Sequence, residues 1–289
     1  DTLRVGIDVR NVTVLCKDAN SSIHAALFEN CYENHVSNLK TYFGFAGVVI
    51  KTISGIYSDI HANGHSTHGI VLKDNDYSRC RSNVVNGFTI RSISTNDGDG
   101  FSFSSGADPG SGSVAFCVIS NGNIEGCKYG IHNYGSSTIV SLGNSINQVM
   151  IFRAQNEGVL FNSGYSTLSN IKSWLCGSTG ISITNTTSGN VSLSNIQSLN
   201  CAGDGIRLTT DASSRTITFT NIASTDNLGI GIVISGEGTS GIGIASENNM
   251  GGNEIVGNLG NYGYNTAVPT NIFHIKGDLV NDPFRVENL

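Results

Sequence analysis

Residues 94–103 read STNDGDGFSF and set two aspartates, Asp97 and Asp99, between glycines and ahead of an apolar–polar–apolar triplet. Two carboxylates at close quarters are equipment for general acid–base chemistry, one giving a proton and the other taking it. Aspartate beside glycine is also a common turn former, because its carboxylate bonds nearby backbone N–H groups. The two readings divide on whether the same turn recurs elsewhere without the acids.

It does recur. A glycine followed by an apolar–any–apolar triplet stands at GVVI (47–50), GIVL (69–72), GFSF (100–103), GIHN (130–133), GVLF (158–161), GISI (180–183), GIRL (205–208) and GIVI (231–234). GIDV (6–9) fits as well, and ALFE (26–29) is a weaker version. From Gly47 onward the intervals are 22, 31, 30, 28, 22, 25 and 26 residues. Nine residues before the glycine stand Ile60, Val149, Ile171, Ile196 and Ile222, three of them in NI-x-S (170–173, 195–198, 221–224).

Each unit therefore reads as two or three short strands between turns, with alternation that buries one face. There is no room for helices of 3.6-residue period. Units of roughly 20–25 residues that cannot bury their own apolar face must stack on their neighbours. The expected architecture is all-β, a parallel β-helix of about nine or ten coils over residues 1–250. At about 4.8 Å per stacked strand it would be some 45 Å long. Residues 251–289 break the pattern and carry Pro269 and Pro283; a cap or subunit contact is expected there.

Stacking turns sequence columns into ladders. Four residues before the glycine stand Cys176, Cys201 and Asn227. Asparagine ladders satisfy each other's amides, and cysteine is a compact buried substitute. The seven cysteines form no CxxC pair and read as buried thiols, with an inter-coil disulfide as the alternative. Free thiols fit folding in a reducing compartment.

Composition excludes several classes. Charged residues are 13% and the formal net charge is −6, which leaves no basic footprint for nucleic acid. No apolar run reaches a membrane span, so no membrane insertion is expected. No secretory leader is visible. The chain begins at Asp1 rather than Met, which implies a longer precursor or a trimmed chain. No phosphate loop, nucleophile triad or metal cluster is visible, so no cofactor and no metal are expected.

The Asp-Gly turns (DGDGFSF at 97–103, GDGIRL at 203–208), low proline and free cysteines resemble the pectate-lyase-like right-handed parallel β-helices, and within them bacteriophage tailspikes and related receptor-binding proteins. The resemblance implies a homotrimer that binds bacterial surface polysaccharide (capsule or O-antigen) and often cleaves it by hydrolysis or elimination. It implies a virion-tail location after folding in the host cytoplasm, or an extracellular one, and an N-terminal part for attachment. The polygalacturonase pattern of the same fold is absent: TND (95–97) reverses its first motif, GHS (64–66) is not its histidine motif, and no Asp-Asp pair or Arg-Ile-Lys occurs.

The residue before the repeat glycine is His68, Asp99, Tyr129, Glu157, Thr179, Asp204 and Ile230 in successive coils, so the turn itself requires no acid. The three long intervals are consecutive, and their extra residues follow the triplet each time, at 73–83, 104–113 and 133–145. Neighbouring insertions at one corner would wall a groove beside His68, Asp99, Tyr129 and Glu157. Asp99 and Glu157, two coils apart, would lie about 9–10 Å from each other. That fits the spacing of an inverting glycosidase, about 6.5–9.5 Å, better than a retaining one. Asp97 is an alternative partner. His68, Tyr129 and His132 suit elimination from a uronic acid, with Arg79, Arg81 and Lys128 as cations. Tyr77, Tyr129, Tyr134 and Phe101 offer flat faces for sugars, although Phe101 occupies an inward position. Trp174 sits on a turn or at a subunit contact. The remaining readings are a non-catalytic glycan-binding adhesin and a structural tail component with the same fold.

Overall fold

The computed structural model describes residues 4–17, 23–73, 80–91, 93, 98–104, 114–133, 143–162, 165–185, 189–210, 215–236, 238–252, 255–256, 275–276 and 285–286. Among them the chain is all β, wound as a parallel β-helix. One sheet has ten strands, from Asp8–Leu15 to Thr239–Glu247, each paired in parallel with the strand one coil on. The other has thirteen and contains the glycine-triplet strands, among them His68–Lys73, Asp99–Ser104, Tyr129–Asn133 and Val159–Asn162. Its last two strands, Ile275–Lys276 and Arg285–Val286, join antiparallel.

Two sheets make three walls because every strand of the ten-stranded sheet is bent at one row. That row is Asn11, Asn38, Asp59, Gly87, Asn121, Gln148, Asn170, Asn195, Asn221 and Gly243, and each has a positive φ. A left-handed residue inserted in an extended chain turns it and shifts the alternation by one. In Ser166–Trp174 the buried positions are Ser166 and Leu168 before Asn170, then Ile171 and Ser173 after it. Both arms thus face inward. Asparagine is the non-glycine residue best suited to this conformation. It also ties neighbouring coils together: Asn195 donates to Asn170 at 3.0 Å and Asn221 to Asn195 at 3.3 Å within the row, and Asn170 donates to Asn147, beside the row's Gln148, at 2.8 Å.

The repeat glycine has a packing cause. A Cβ on Gly100 would strike the Ile124 side chain, and one on Gly180 would strike Ser198. The residue opposite the glycine forms an inner column of Ala62, Ile90, Ile124, Ile151, Ser173, Ser198, Ser224 and Ser246. The serine of NI-x-S is therefore internal. Three residues on, each serine meets a cysteine or asparagine: Ser173 Oγ lies 3.1 Å from Cys176 Sγ, and Asn227 donates to Ser224 Oγ at 2.9 Å. Asn227 and Asn249 continue the cysteine column, with the Asn227 amide donating to Asn249 Oδ1 at 2.9 Å. All seven cysteines are free thiols, so no inter-coil disulfide forms. In the first half the core is instead an aromatic and aliphatic stack, with Phe88, Phe101, Phe103 and Phe161 in successive ring contacts of 5.4 to 6.0 Å.

Candidate functional site

The register builds the row that the spacing predicts. His68 and Asp99 are Cα partners, as are Asp99 and Tyr129. Ile131 pairs with Val159, which sets Glu157 next in the row, and Gly130 N–H donates to the Glu157 carbonyl at 3.2 Å. These side chains stand at the glycine corner, where the chain enters the triplet strand.

Asp99 does not face solvent. Its side chain is 1% exposed, and one oxygen, Oδ2, lies 3.2 Å from His132 Nδ1 and 3.5 Å from His68 Nδ1. His132 arrives from the next coil: its Cα partner is Ser102, on the outer row of the strand, and its ring leans back onto Asp99. The Tyr129 ring packs 4.5 Å from the His132 ring, and Lys128 Nζ stands 5.6 Å from the Tyr129 centroid. The two histidine side chains are 22% (His68) and 11% (His132) exposed, so they and the half-buried Tyr129 form the accessible edge of the cluster.

An ionised carboxylate only accepts hydrogen bonds. Asp99 therefore favours the His132 tautomer with its proton on Nδ1, which leaves Nε2 as a proton acceptor. Ser102, beside His132 in the ladder, is wholly buried, and its hydroxyl makes no hydrogen bond among the described residues. Further along the same outer face, burial and then the cationic Lys51 and Lys73 hold the His24 imidazole below its ordinary pKa. Lys51 is itself paired with Glu29 at 2.8 Å.

The other sequence candidates fall differently. Glu157 accepts from Ser178 Oγ at 3.3 Å, a residue of the following coil, which draws it away from Asp99. Arg81 bridges Ile53 and Ala115, past the far end of the triplet strands, while His68 and Asp99 stand at their start. Phe101 is in the core with no exposure. Asp97, Tyr77, Arg79 and Tyr134 lie outside the described residues, as do most of the three insertions (74–79, 105–113 and 134–142). Sequence reasoning named His132 as a candidate for elimination but did not join it to Asp99. The signal was there: His132 follows Tyr129 by three residues, within reach of the carboxylate one coil back. Among the described residues no group of three histidine, cysteine or acidic side chains could hold a metal ion, and no helix is long and apolar enough to cross a membrane.

No family model matches the chain, and no curated protein does. Among solved structures it is similar to the N-terminal fragment of bacteriophage Phi29 gene product 12, at 15% identity and a TM-score of 0.58, over 92% of this chain and 58% of that one. It is also similar to the periplasmic alginate epimerase AlgG, at 13% identity and a TM-score of 0.48, over 76% of this chain and 49% of that one. A third is the tailspike protein gp49 of Acinetobacter baumannii bacteriophage Fri1, a capsular polysaccharide depolymerase, at 12% identity and a TM-score of 0.39, over 78% and 46% of the two chains. The chain thus spans about half the length of the solved chains it matches. At these identities the likeness concerns fold. The coil register, the bent asparagine row and the Phi29 fragment agree on it, and the chain is a parallel β-helix.

Proposed function

We propose that this chain binds an acidic bacterial surface polysaccharide at the His68–Asp99–His132 cluster and cleaves it by β-elimination. The observation that carries the reading is the 3.2 Å contact between His132 Nδ1 and the buried Asp99 carboxylate, with Tyr129 against the same imidazole. In this reading Asp99 holds and orients the imidazoles and does not touch the sugar. His132 Nε2 takes the C5 proton of a uronic acid, and the C5–H electrons become the C4–C5 double bond. The C4–O bond breaks, and the leaving oxygen takes a proton from Tyr129 or His68. In the same reading Lys128, whose Nζ is 5.6 Å from the Tyr129 centroid, balances the sugar carboxylate. Hydrolysis by Asp99 with Glu157 fits less well, because Asp99 has no open face and Glu157 is tied to the next coil.

The setting belongs to the same proposal: a virion-attached homotrimer, supported by the fold shared with a phage gene product. Analytical ultracentrifugation measures the oligomer. A second reading, binding without cleavage, is favoured by the low exposure of His132, which also suits a brace between coils.

The test incubates the chain, His132→Ala and Tyr129→Phe with a panel of capsular and O-antigen polysaccharides. Unsaturated uronate absorbance and reducing ends are both followed. Unsaturated products that fall by roughly a hundredfold or more in His132→Ala support elimination. Reducing ends without unsaturation, surviving His132→Ala, sink it in favour of hydrolysis. Saturable binding with no product from any polymer leaves the adhesin.

A further inference from the structure

The ten-stranded sheet carries, after its bent row, an outer wall with a paired set of rings. Phe152 and Trp174 are Cα partners in adjacent coils, their rings 5.3 Å apart and edge to face. Trp174 is 38% exposed, with Met150 at 46% and Leu175 at 41% beside it. Two cations stand over the rings: Arg153 at 4.6 Å from the Phe152 centroid, and Lys172 Nζ at 5.5 Å from Trp174. The row beside the rings runs Asn123, Met150, Lys172 and Gln197 in successive coils, and both amides are exposed.

We propose that this wall is a second, non-catalytic binding site for an anionic glycan, with Trp174 as its stacking platform. Exposed aromatic faces bind the apolar side of a pyranose, and flanking amides take its hydroxyls. The two cations select for carboxylated or otherwise acidic sugars, in a chain whose net charge of −6 otherwise repels them. A second copy of the chain fits less well. Only three large apolar side chains of the wall are more than a third exposed, few for a stable contact between copies. The wall lies on a different sheet from the His68–Asp99–His132 cluster. The proposal rests on the glycan reading above for its class of ligand, but its site is read separately.

Trp174 is the only tryptophan of the chain, so its emission reports this wall alone. The experiment titrates the intact chain with size-defined oligosaccharides of polygalacturonate and of polysialic acid, and with neutral dextran of matching length. A saturable change with at least one acidic series, absent with dextran and weakened by salt, is the expected result. Lys172→Ala with Arg153→Ala should weaken it roughly tenfold. His132→Ala should leave it unchanged, even if every cleavage assay fails. Equal response to dextran, indifference to loss of the two cations, or no saturable change with either acidic series overturns the proposal. An emission change that follows protein concentration, with sedimentation to match, replaces it with a contact between copies.

Discussion

The glycine corner of this solenoid is filled in two ways. In the coils of His68, Asp99 and Tyr129, the residue packed against the repeat glycine is Ile90, Ile124 or Ile151, and phenylalanines stack behind it. From Gly158 onward it is Ser173, Ser198, Ser224 and Ser246, with cysteine and asparagine three residues further on. Backbone and glycine are the same in both. Dispersion and hydrophobic burial are non-directional, so the isoleucines themselves fix volume, and the directional bonds of that half lie elsewhere, at Asn83 and Asn144. Hydrogen-bonded ladders are directional and fix each coil against the next. The polar half has the regular intervals of 22, 25 and 26 residues, and the apolar half has the intervals of 31, 30 and 28 and the candidate site. In the coils of the candidate site isoleucine fills the space beside the glycine, and in the later coils a hydrogen-bonded serine does.

That contrast can be broken most directly at Ile124. Ile124→Ser places the residue type of one half into the other, leaving a cavity and a hydroxyl beside Cys127. The expected cost is about 4 kcal/mol by chemical denaturation. Ser198→Ala, which only shortens the ladder, should cost about 1 kcal/mol. Equal costs would mean that the two halves are not held differently.

The ladder has its own weak point. Asn227 accepts from Cys201 N–H at 2.9 Å and from Ser198 at 3.2 Å, and donates to Ser224 and Asn249. Asn227→Leu strands those groups without water and should cost about 3 kcal/mol in the same assay. A cost below that of Ser198→Ala would show that the ladder contributes little.

The apolar half should respond to acid where the polar half does not. His65 occupies the Asn/Cys column there and is buried, with Nε2 3.1 Å from Thr41 Oγ1. Burial lowers its pKa, against opposing backbone contacts. A histidine whose folded pKa lies below its unfolded value of about 6.5 stabilises fully above that value and loses stability as pH falls below it. His24 adds in the same direction. The melting temperature should therefore fall between pH 7 and pH 5, and His65→Met should make the fall shallower. An unchanged slope in the variant would remove His65 from the account.

The smallest effect separates conformation from bonding in the bent row. Asn195→Gly keeps the left-handed corner and loses two ladder bonds, for a cost within about 0.5 kcal/mol. Asn195→Val should cost about 1–2 kcal/mol, because a branched side chain resists positive φ. Similar costs would mean that the amides, not the backbone, hold the row.

The sequence shows some of this directly. The glycine column, the inward Ile of NI-x-S and the Cys176–Cys201–Asn227 ladder follow from period and spacing, and so does the row from His68 to Glu157. The bend does not, because Asn170, Asn195 and Asn221 are ordinary surface residues until the burial alternation is seen to slip there. The inner serines were hidden for a related reason: a Ser after an outward position reads as solvent-facing. The Asp99–His132 contact depends on a ring leaning across from its own row, which spacing alone does not encode.

The in-register pairing has one more consequence. Where strands pair in register, outer side chains sit on a grid with steps of about 4.8 Å along the axis and about 6.6–7 Å along a strand. Two groups on different coils cannot drift to an intermediate separation by small backbone changes. Their spacing changes by whole coils, or by exchanging one side chain for another of different reach. Excising residues 158–179 would set Glu157 directly before Gly180 and preserve the repeat. It would delete Trp174 in one stroke and leave His68, Asp99, Tyr129 and His132 where they stand. A chain built this way is spaced like a notched ruler, and its variants change by the notch.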